Sequence, residues 1–296
     1  MTRAKPRLAL TFSPAVLAPA DLPRLIELAR VADDAGIDAI RVPEHVALGR
    51  DTSSYRWGAF PYPPSAPWLE PLTAIAAMAA VTTRIDFITG ILIAPLRSAV
   101  ILAKQVATVD ALSGGRLALG VGAGWQPAEL EAGGVPFAER APRMFEVVAA
   151  CRALWENAPA RFAGRWTSFD EVWCEPRPVR RVPVLFASGL GPGSLRRMVD
   201  LGDGWLPIMG STPGEIADGA ARIADALAAV GRPVDSFEIA GFAVPAGDNL
   251  ERTLAAARDL ASSGVTTVSL YWPAFVPELS GVPAFIERVA SVWAGL

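Results

Sequence analysis

A glycine-rich segment, Ser188-Gly-Leu-Gly-Pro-Gly-Ser194, has the composition of an anion-binding turn. It follows an apolar run over Val182–Ala187 that predicts a strand, and we expect a helix to begin near Ser194. Free amide groups at a helix N-terminus, together with nearby hydroxyls, bind phosphate and similar anions. We therefore predict a phosphate site here, and the alternative is an ordinary strand-to-helix turn with a serine cap.

A second group of glycines lies at the end of another apolar run, at Gly120, Gly122 and Gly124. Such glycines remove side chains where a ligand or another backbone must come close. Contact with a cofactor and a crowded strand end explain them about equally well. The spacing excludes the dinucleotide fingerprint G-x-G-x-x-G, because that pattern needs glycine at Trp125 or Pro127.

His45 is the only histidine of the chain, and it stands beside Glu44 at the end of a predicted strand. A single imidazole excludes a His-rich metal site and any second imidazole in an acid–base pair, so we predict no metal centre. Apart from Glu44, the ends of the predicted strands carry no lysine and no cluster of carboxylates. The sequence therefore does not support a lyase or isomerase built on a barrel. The alternative to a functional role is a histidine that only hydrogen-bonds a loop.

Four tryptophans are candidates for the walls of a substrate pocket. Trp125, Trp205 and Trp272 each follow or end a predicted strand on the same side, and Trp57 lies in a long loop. Together they are expected to form an apolar pocket, although any one alone is more often packed in the core or at the rim.

Strand-like apolar runs alternate eight times with segments of helical period. The predicted strands are Arg7–Ser13, Asp38–Glu44, Ile85–Ala94, Arg116–Gly122, Val182–Ala187, Gly204–Met209, Phe237–Val244 and Val265–Trp272. The predicted helices include Asp21–Ala35, Ser98–Leu112, Phe137–Trp155, Pro213–Val230 and Asn249–Ser262. Strict alternation implies a parallel sheet, and eight units favour its closure. We predict an α/β fold with a single (β/α)8 TIM-barrel domain over residues 1–296.

Two segments interrupt this alternation. Ala47–Leu69, after the second strand, is rich in proline and aromatic residues and lies at the C-terminal mouth, where barrel enzymes place their sites. Asn157–Arg181, before the fifth strand, predicts a small hairpin and an extended entrance to that strand. Because this insertion follows a helix, its root lies at the opposite end of the barrel, where we expect a packing role.

The composition excludes several classes of protein. Hydrophobic residues make up 52% of the chain and charged residues 19%, and the net charge of −3 argues against a nucleic-acid-binding protein. The two cysteines, Cys151 and Cys174, lack the spacing of a zinc or redox motif and suit a reducing compartment. The N-terminus lacks a secretory h-region, and the longest uncharged run, Leu260–Pro277, is not apolar enough to span a membrane. We expect a cytoplasmic protein.

The segment Asp110-x-Leu-Ser-Gly-Gly-Arg116, with Gly120–Trp125 and Pro136–Arg140 after it, resembles the central signature of the bacterial luciferase-like monooxygenases. The resemblance extends over nearly the whole chain. That superfamily includes FMN enzymes and oxidoreductases that use the deazaflavin coenzyme F420. The short chain and the glycine-rich fifth turn are more similar to the F420 branch, so the resemblance implies F420 as the cofactor and FMN as the alternative.

The resemblance also implies where the cofactor binds. In the family, the turn after strand five helps to hold the cofactor phosphate, and the corresponding residues here are Ser188, Gly189, Gly191 and Ser194. Gly122 and Gly124 are further candidates for cofactor contact. In the third strand Gly90 interrupts a β-forming run, which indicates a bulge or a close backbone approach. In the family a bulge here, often with a non-prolyl cis peptide, backs the ring, and that peptide would be Gly90-Ile91.

For catalysis, family members place a histidine or glutamate near the reactive face of the ring, which makes His45, with Glu44 beside it, the candidate for proton transfer. The implied reaction is hydride transfer between F420 and a small apolar organic substrate. The alternatives are monooxygenation by reduced FMN and oxygen, and a barrel that binds a flavin without catalysis. Family members are often dimers, so a homodimer is a further expectation.

Overall fold

The computed structural model describes residues 5–296 of the chain. Its strands are β1 (Arg7–Thr11), β2 (Ala39–Val42), β3 (Asp86–Thr89), β4 (Leu92–Ile93), β5 (Leu117–Gly122), β6 (Ala160–Ala163), β7 (Ser168–Val172), β8 (Val184–Ala187), β9 (Gly204–Trp205), β10 (Glu238–Phe242) and β11 (Thr267–Tyr271). Its α-helices are α1 (Arg24–Ala35), α2 (Pro71–Ala79), α3 (Ala99–Ser113), α4 (Pro127–Ala132), α5 (Arg140–Glu156), α6 (Pro192–Leu201), α7 (Pro213–Ala229), α8 (Leu250–Asp259) and α9 (Val282–Gly295).

All strands except the β6–β7 hairpin form one parallel sheet that closes on itself. The order runs β3, β2, β1, β11, β10, β9, β8, β5, and β5 pairs back to β3 through Phe87–Leu117 and Ile88–Ala118. β3 and β4 together make the third strand of the barrel, which is interrupted at Gly90 and Ile91. The predicted (β/α)8 TIM barrel is confirmed.

The two faces of the strands carry different kinds of side chain, because successive residues point to opposite sides. On β1, Leu8 and Leu10 belong to the large cluster of buried side chains that joins the strands to the surrounding helices. Ala9 instead packs with Ala39 and Ile88 in a small cluster of its own inside the barrel. The main hydrophobic core therefore lies between barrel and helices.

Both irregular segments have the predicted form. Residues 47–70 contain no helix or strand and lie between β2 and α2. β6 and β7 form an antiparallel hairpin in which Phe162 pairs with Phe169, and their rings stack with centroids 5.8 Å apart.

Some predicted boundaries are too wide, for identifiable reasons. The sixth barrel strand ends at Trp205 and not at Met209, because Pro207 has no N–H to continue the ladder. Helix α1 begins at Arg24 and not at Asp21, since Pro19–Asp21 forms a 3-10 turn. The third strand is divided at Gly90, where the bulge was expected.

Within the part of the chain that the structure describes, no helix is long and apolar enough to cross a membrane. The same residues include no group of three or more histidine, cysteine, aspartate or glutamate side chains arranged to hold a metal ion. Cys151 and Cys174 are both buried and free.

Candidate functional site

The single histidine lies at the C-terminal mouth of the barrel and is fixed by a glutamate from another element. His45 Nδ1 lies 2.9 Å from Oε2 of Glu129, which belongs to α4. The other oxygen, Oε1, accepts hydrogen bonds from the backbone N–H of Val46 at 2.6 Å and Ala47 at 3.3 Å. One carboxylate therefore orients the imidazole and holds the start of the long loop.

The charge of Glu129 determines which ring nitrogen carries the proton. Burial opposes ionisation of this carboxyl, but the hydrogen bonds from His45 and from the two backbone N–H groups outweigh burial and lower its pKa. A carboxylate can only accept, so His45 Nδ1 donates to it. His45 Nε2 is left on the opposite edge of the ring to accept or deliver a proton.

Aromatic side chains surround the imidazole. The rings of Trp68, Phe60 and Trp125 lie edge-on to His45, with centroids at 4.8, 5.4 and 5.7 Å. Tyr55 extends the group, 5.1 Å from Trp125. We call these rings the mouth cluster. They come from the long loop and from the start of α4, and they reduce the access of water to His45.

The long loop is fastened across the mouth at two points. Gln126 exchanges hydrogen bonds with the backbone of Gly49, donating at 2.9 Å and accepting at 2.6 Å, and donates to the carbonyl of Asp51 at 2.8 Å. The Tyr62 hydroxyl lies 2.7 Å from that of Tyr271 at the end of β11. Burial and this hydrogen bond raise the pKa of Tyr271, so it remains a neutral phenol. The loop therefore spans the mouth from β5 to β11.

Both carboxylate oxygens of Glu44, the other predicted catalytic residue, accept hydrogen bonds from neighbouring residues. Its Oε2 accepts hydrogen bonds from the backbone N–H of Ile93 at 2.7 Å and from Arg97 at 2.9 Å, and Oε1 accepts from Arg97 at 2.5 Å. Arg97 also binds Glu70 at 2.7 Å, at the cap of α2. Burial raises the pKa of Glu44 despite the opposing effect of Arg97. These contacts join the ends of β2 and β4 to the start of α2, and a catalytic role for Glu44 stays a prediction.

The glycines of the mouth fall into two kinds. A side chain at Gly122 would meet Ile91 Cδ1 at 2.8 Å, and one at Gly124, where φ is +79°, would meet Ile93 Cγ2 at 3.0 Å. Gly120 faces the carbonyl of Thr89 in the same way. The structure thus explains these glycines by strand packing, and their predicted contact with a cofactor stays a prediction.

The turn after β8 is different, because the space beside its glycines is open. A side chain at Gly189, Gly191 or Gly193 would meet no atom within 4 Å. The hydroxyl of Ser188 is buried without a hydrogen-bond partner. Helix α6 begins directly after this turn and has no side-chain cap. Its first amide groups lack intrahelical partners, which is the arrangement that binds a phosphate.

Gly90 and Ile91 have the backbone that the resemblance implied: the peptide between them is cis. The two residues lie between β3 and β4, and the side chain of Ile91 packs toward Leu185 and Leu206 of the interior. They form a projection into the upper part of the barrel.

Two of the four tryptophans do not line the mouth. Because Gly204 and Leu206 face the interior, Trp205 points outward, packs on Gly219 of α7 and donates from Nε1 to the carbonyl of Ser188 at 3.2 Å. Trp272 is buried in the core between barrel and helices. The prediction that both wall a pocket is therefore wrong, and Trp205 instead supports the turn after β8.

The other two tryptophans belong to the mouth. Trp125 contacts His45 within the mouth cluster. Trp57 lies at its solvent edge, 46% exposed, with its ring 5.1 Å from Tyr55.

Sequence reasoning missed Glu129, Gln126 and the Tyr62–Tyr271 pair. Glu129 lies in the first turn of α4, 84 positions from His45, so no local pattern indicates that the two residues meet. The tyrosine pair joins residues 209 positions apart, and nothing local in the sequence indicates it.

Comparison with known proteins identifies the family of the chain and several similar proteins. The profile of the luciferase-like monooxygenase family matches residues 8–285. An uncharacterised protein of Mycobacterium tuberculosis is 31% identical over 270 residues, which cover 89% of this chain and 91% of that protein. An F420-dependent glucose-6-phosphate dehydrogenase of Amycolatopsis mediterranei is 30% identical over 186 residues, covering 62% of this chain and 52% of the enzyme.

A solved structure shows the same fold. The monooxygenase RslO1 of Streptomyces bottropensis superposes with a TM-score of 0.78 at 20% identity, over 98% of this chain and 99% of that one.

Proposed function

This chain belongs to the luciferase-like monooxygenase family, and we propose that it is an oxidoreductase that binds coenzyme F420 at the mouth of the barrel. It transfers a hydride between the bound deazaflavin and a small apolar organic substrate. The observation that carries the proposal is the turn after β8, where the space beside Gly189, Gly191 and Gly193 is open, the Ser188 hydroxyl is buried without a partner, and a helix begins.

The residues of that turn fit the phosphate of such a cofactor. Ser188 and Ser194 supply hydroxyls, and the amide groups of the first turn of α6 supply N–H donors and the positive end of the helix dipole. Gly189 and Gly191 leave room for the phosphate oxygens to approach the backbone. From this turn the ring would extend across the mouth toward Gly90 and Ile91.

The bound cofactor supplies the hydride chemistry, and the protein supplies binding, orientation and exclusion of water. The mouth cluster covers the site and gives the substrate an apolar surface. His45, oriented by Glu129, holds or moves a proton at Nε2. Glu44 and Arg97 keep the strand ends in place beneath it.

F420 is preferred over FMN because the sequence of the fifth turn is more similar to that of the F420 branch of the family and because the relative from Amycolatopsis mediterranei is F420-dependent. FMN ends in a phosphate monoester and F420 contains a phosphodiester, and hydroxyl and amide donors bind both, so the donors of this turn alone accept either cofactor.

A charge placed in the turn tests the phosphate site. Ser194→Asp puts a carboxylate where the phosphate binds, and we expect at least tenfold weaker F420 binding in a fluorescence titration. The matched control is Ser262→Asp, which adds the same charge at an exposed position outside the mouth and leaves binding unchanged. Equal affinities of Ser194→Asp and the wild type would remove the assignment.

The role of His45 is tested by separating turnover from binding. His45→Ala is expected to lower turnover about a hundredfold, the scale of general acid–base catalysis, with little change in cofactor affinity. An equal loss of both would reduce His45 to a structural residue. Cofactor binding without any turnover in the wild type, across a panel of small alcohols and ketones, would favour a barrel that binds the cofactor without catalysis.

The proposed assembly is a homodimer. Ile101 and Leu112 are 56% and 70% exposed, and their spacing of eleven residues puts them on one face of α3. Light scattering on the purified protein measures the mass directly, and a monomeric mass at micromolar concentration would contradict a dimer.

A further inference from the structure

Arg41 carries a buried positive charge that the site described so far does not use. It lies on β2 with its side chain inside the barrel, and it is 1% exposed. Its Nη2 donates to the carbonyl of Ala240 on β10 at 3.0 Å. Its Nε is buried and has no hydrogen-bond partner among residues 5–296.

The other deeply buried arginines of this chain are paired with carboxylates. Arg97 forms ion pairs with Glu44 and Glu70, and Arg152 forms one with Asp203. Arg41 is more deeply buried than either, yet no carboxylate of the described residues lies within ion-pairing distance of it. Because an unpaired buried charge is costly, a guanidinium in this position calls for an anionic partner from outside the chain.

Contacts on both sides hold the Arg41 side chain in one orientation. Its Cζ lies 4.3 Å from the centre of the Phe242 ring, a cation–π contact. Its Cγ and Cδ occupy the place that a side chain at Gly90 would fill. The charge is therefore fixed directly beside the projection formed by Gly90 and Ile91.

Few charged or titratable groups face Arg41 from the neighbouring strands. Glu238, at the start of β10, acts on it through its charge, and Tyr271 of β11 is a neutral phenol. Burial lowers the pKa of Arg41 to about 10, against the opposing effect of Glu238. Arg41 thus remains a cation at neutral pH, only partly compensated.

We propose that Arg41 stabilises the anionic form of the ring bound against Gly90 and Ile91. This inference rests on the proposed function, because it needs a ring at that place. The two candidate rings lose a proton to water at different groups, the ring hydroxyl of oxidised F420 and N1 of reduced FMN. In both, the negative charge spreads over the ring, where a nearby cation favours the deprotonated form.

The test is a spectrophotometric pH titration of the bound ring, which needs no turnover. Oxidised F420 is the first probe and reduced FMN, under anaerobic conditions, the second. In Arg41→Met we expect the pKa of the bound ring to rise by at least one unit, a tenfold loss of preference for the anion. Arg41→Lys keeps the charge and is expected to lie closer to the wild type.

A second variant is expected to shift the pKa of the bound ring in the opposite direction. Glu238→Gln removes the carboxylate that opposes Arg41, so the pKa of the bound ring is expected to fall. Glu238 Oε1 has no hydrogen-bond partner, which makes the replacement mild. This variant keeps the inference testable if Arg41→Met does not fold.

The outcomes separate the two proposals. If the wild type binds neither probe, the proposed cofactor site is wrong and Arg41 has no ring to act on. If the wild type binds a ring whose pKa is the same in Arg41→Met, or in Glu238→Gln where Arg41→Met is unfolded, the role of Arg41 is wrong and ring binding stands.

Discussion

The pairing of Glu129 with His45 leads to a prediction that can be worked out from the contacts. Glu129→Gln keeps the shape of the side chain and an oxygen that can accept from Val46 and Ala47. It removes the negative charge, and the new amide N–H₂ faces His45 Nδ1 as a donor. The imidazole is then expected to shift toward the tautomer protonated at Nε2.

The cost in stability follows from three hydrogen bonds. Each bond to a charged acceptor contributes about 1 kcal/mol more than a neutral one, and the bond to Ala47, at 3.3 Å, contributes least. We expect a loss of about 2 kcal/mol at neutral pH. For a chain of this size that is a decrease in Tm of roughly 4 °C. Turnover is expected to fall about a hundredfold, because Nε2 no longer begins as the acceptor.

The assay uses the fact that His45 is the only histidine of the chain. Labelling histidine with ¹⁵N gives one pair of ring resonances, from which the tautomer is assigned directly. Glu131→Gln is the matched control, since it removes an exposed carboxylate two residues further along α4 and is expected to change neither signal nor Tm. An Nδ1-protonated imidazole in both the wild type and Glu129→Gln would show that the carboxylate of Glu129 does not set the tautomer of His45.

Two further predictions concern the framework of the site. Gly90→Ala places a methyl group on the Arg41 side chain and is expected to lower the free energy of unfolding by about 1–3 kcal/mol. Gly189→Ala, whose methyl group meets open space, is expected to leave that free energy nearly unchanged. Equal Tm values for the two variants in thermal unfolding would contradict the packing at Gly90. Asp33→Asn removes an acceptor for the N–H groups of Thr83 and Ile85, both at 2.7 Å, and is expected to cost about 2 kcal/mol at pH 7. Burial raises the pKa of Asp33, but the backbone hydrogen bonds outweigh it and lower that pKa below 3.8, so its contribution is complete above this pH and is lost as the pH falls through the folded-state pKa. The difference in stability between Asp33→Asn and the wild type should therefore shrink in acid, and a constant difference from pH 7 downward would count against it.

The fold was accessible from sequence because it depends on a repeated pattern. Buried parallel strands appear as short apolar runs, and each is followed by a segment of helical period, so eight repetitions indicate the barrel even where single boundaries are wrong. Pro207 shows the kind of error that remains, since it ends a strand early without altering the place of that strand in the order.

The site was less accessible, because it depends on side-chain direction and on distant contacts. Trp205 is the last residue of β9 and points into the helix layer, whereas Trp125 lies three residues beyond the end of β5 and contacts His45 at the mouth. Arg41 lies inside the predicted strand Asp38–Glu44, and a charged residue in a buried strand is itself an indication of a functional role. Its neighbour Phe242 is 201 positions away, so the contact itself could not be read from the sequence.

Binding of a deazaflavin at the mouth is tested by a competitive titration. Purified protein is titrated with oxidised F420 while its tryptophan fluorescence is recorded, and FMN is then added as competitor. We expect saturable F420 binding that equimolar FMN does not displace. Displacement by FMN would shift the proposal to flavin-dependent monooxygenation, and the absence of binding by either cofactor would show that the mouth is not a cofactor site.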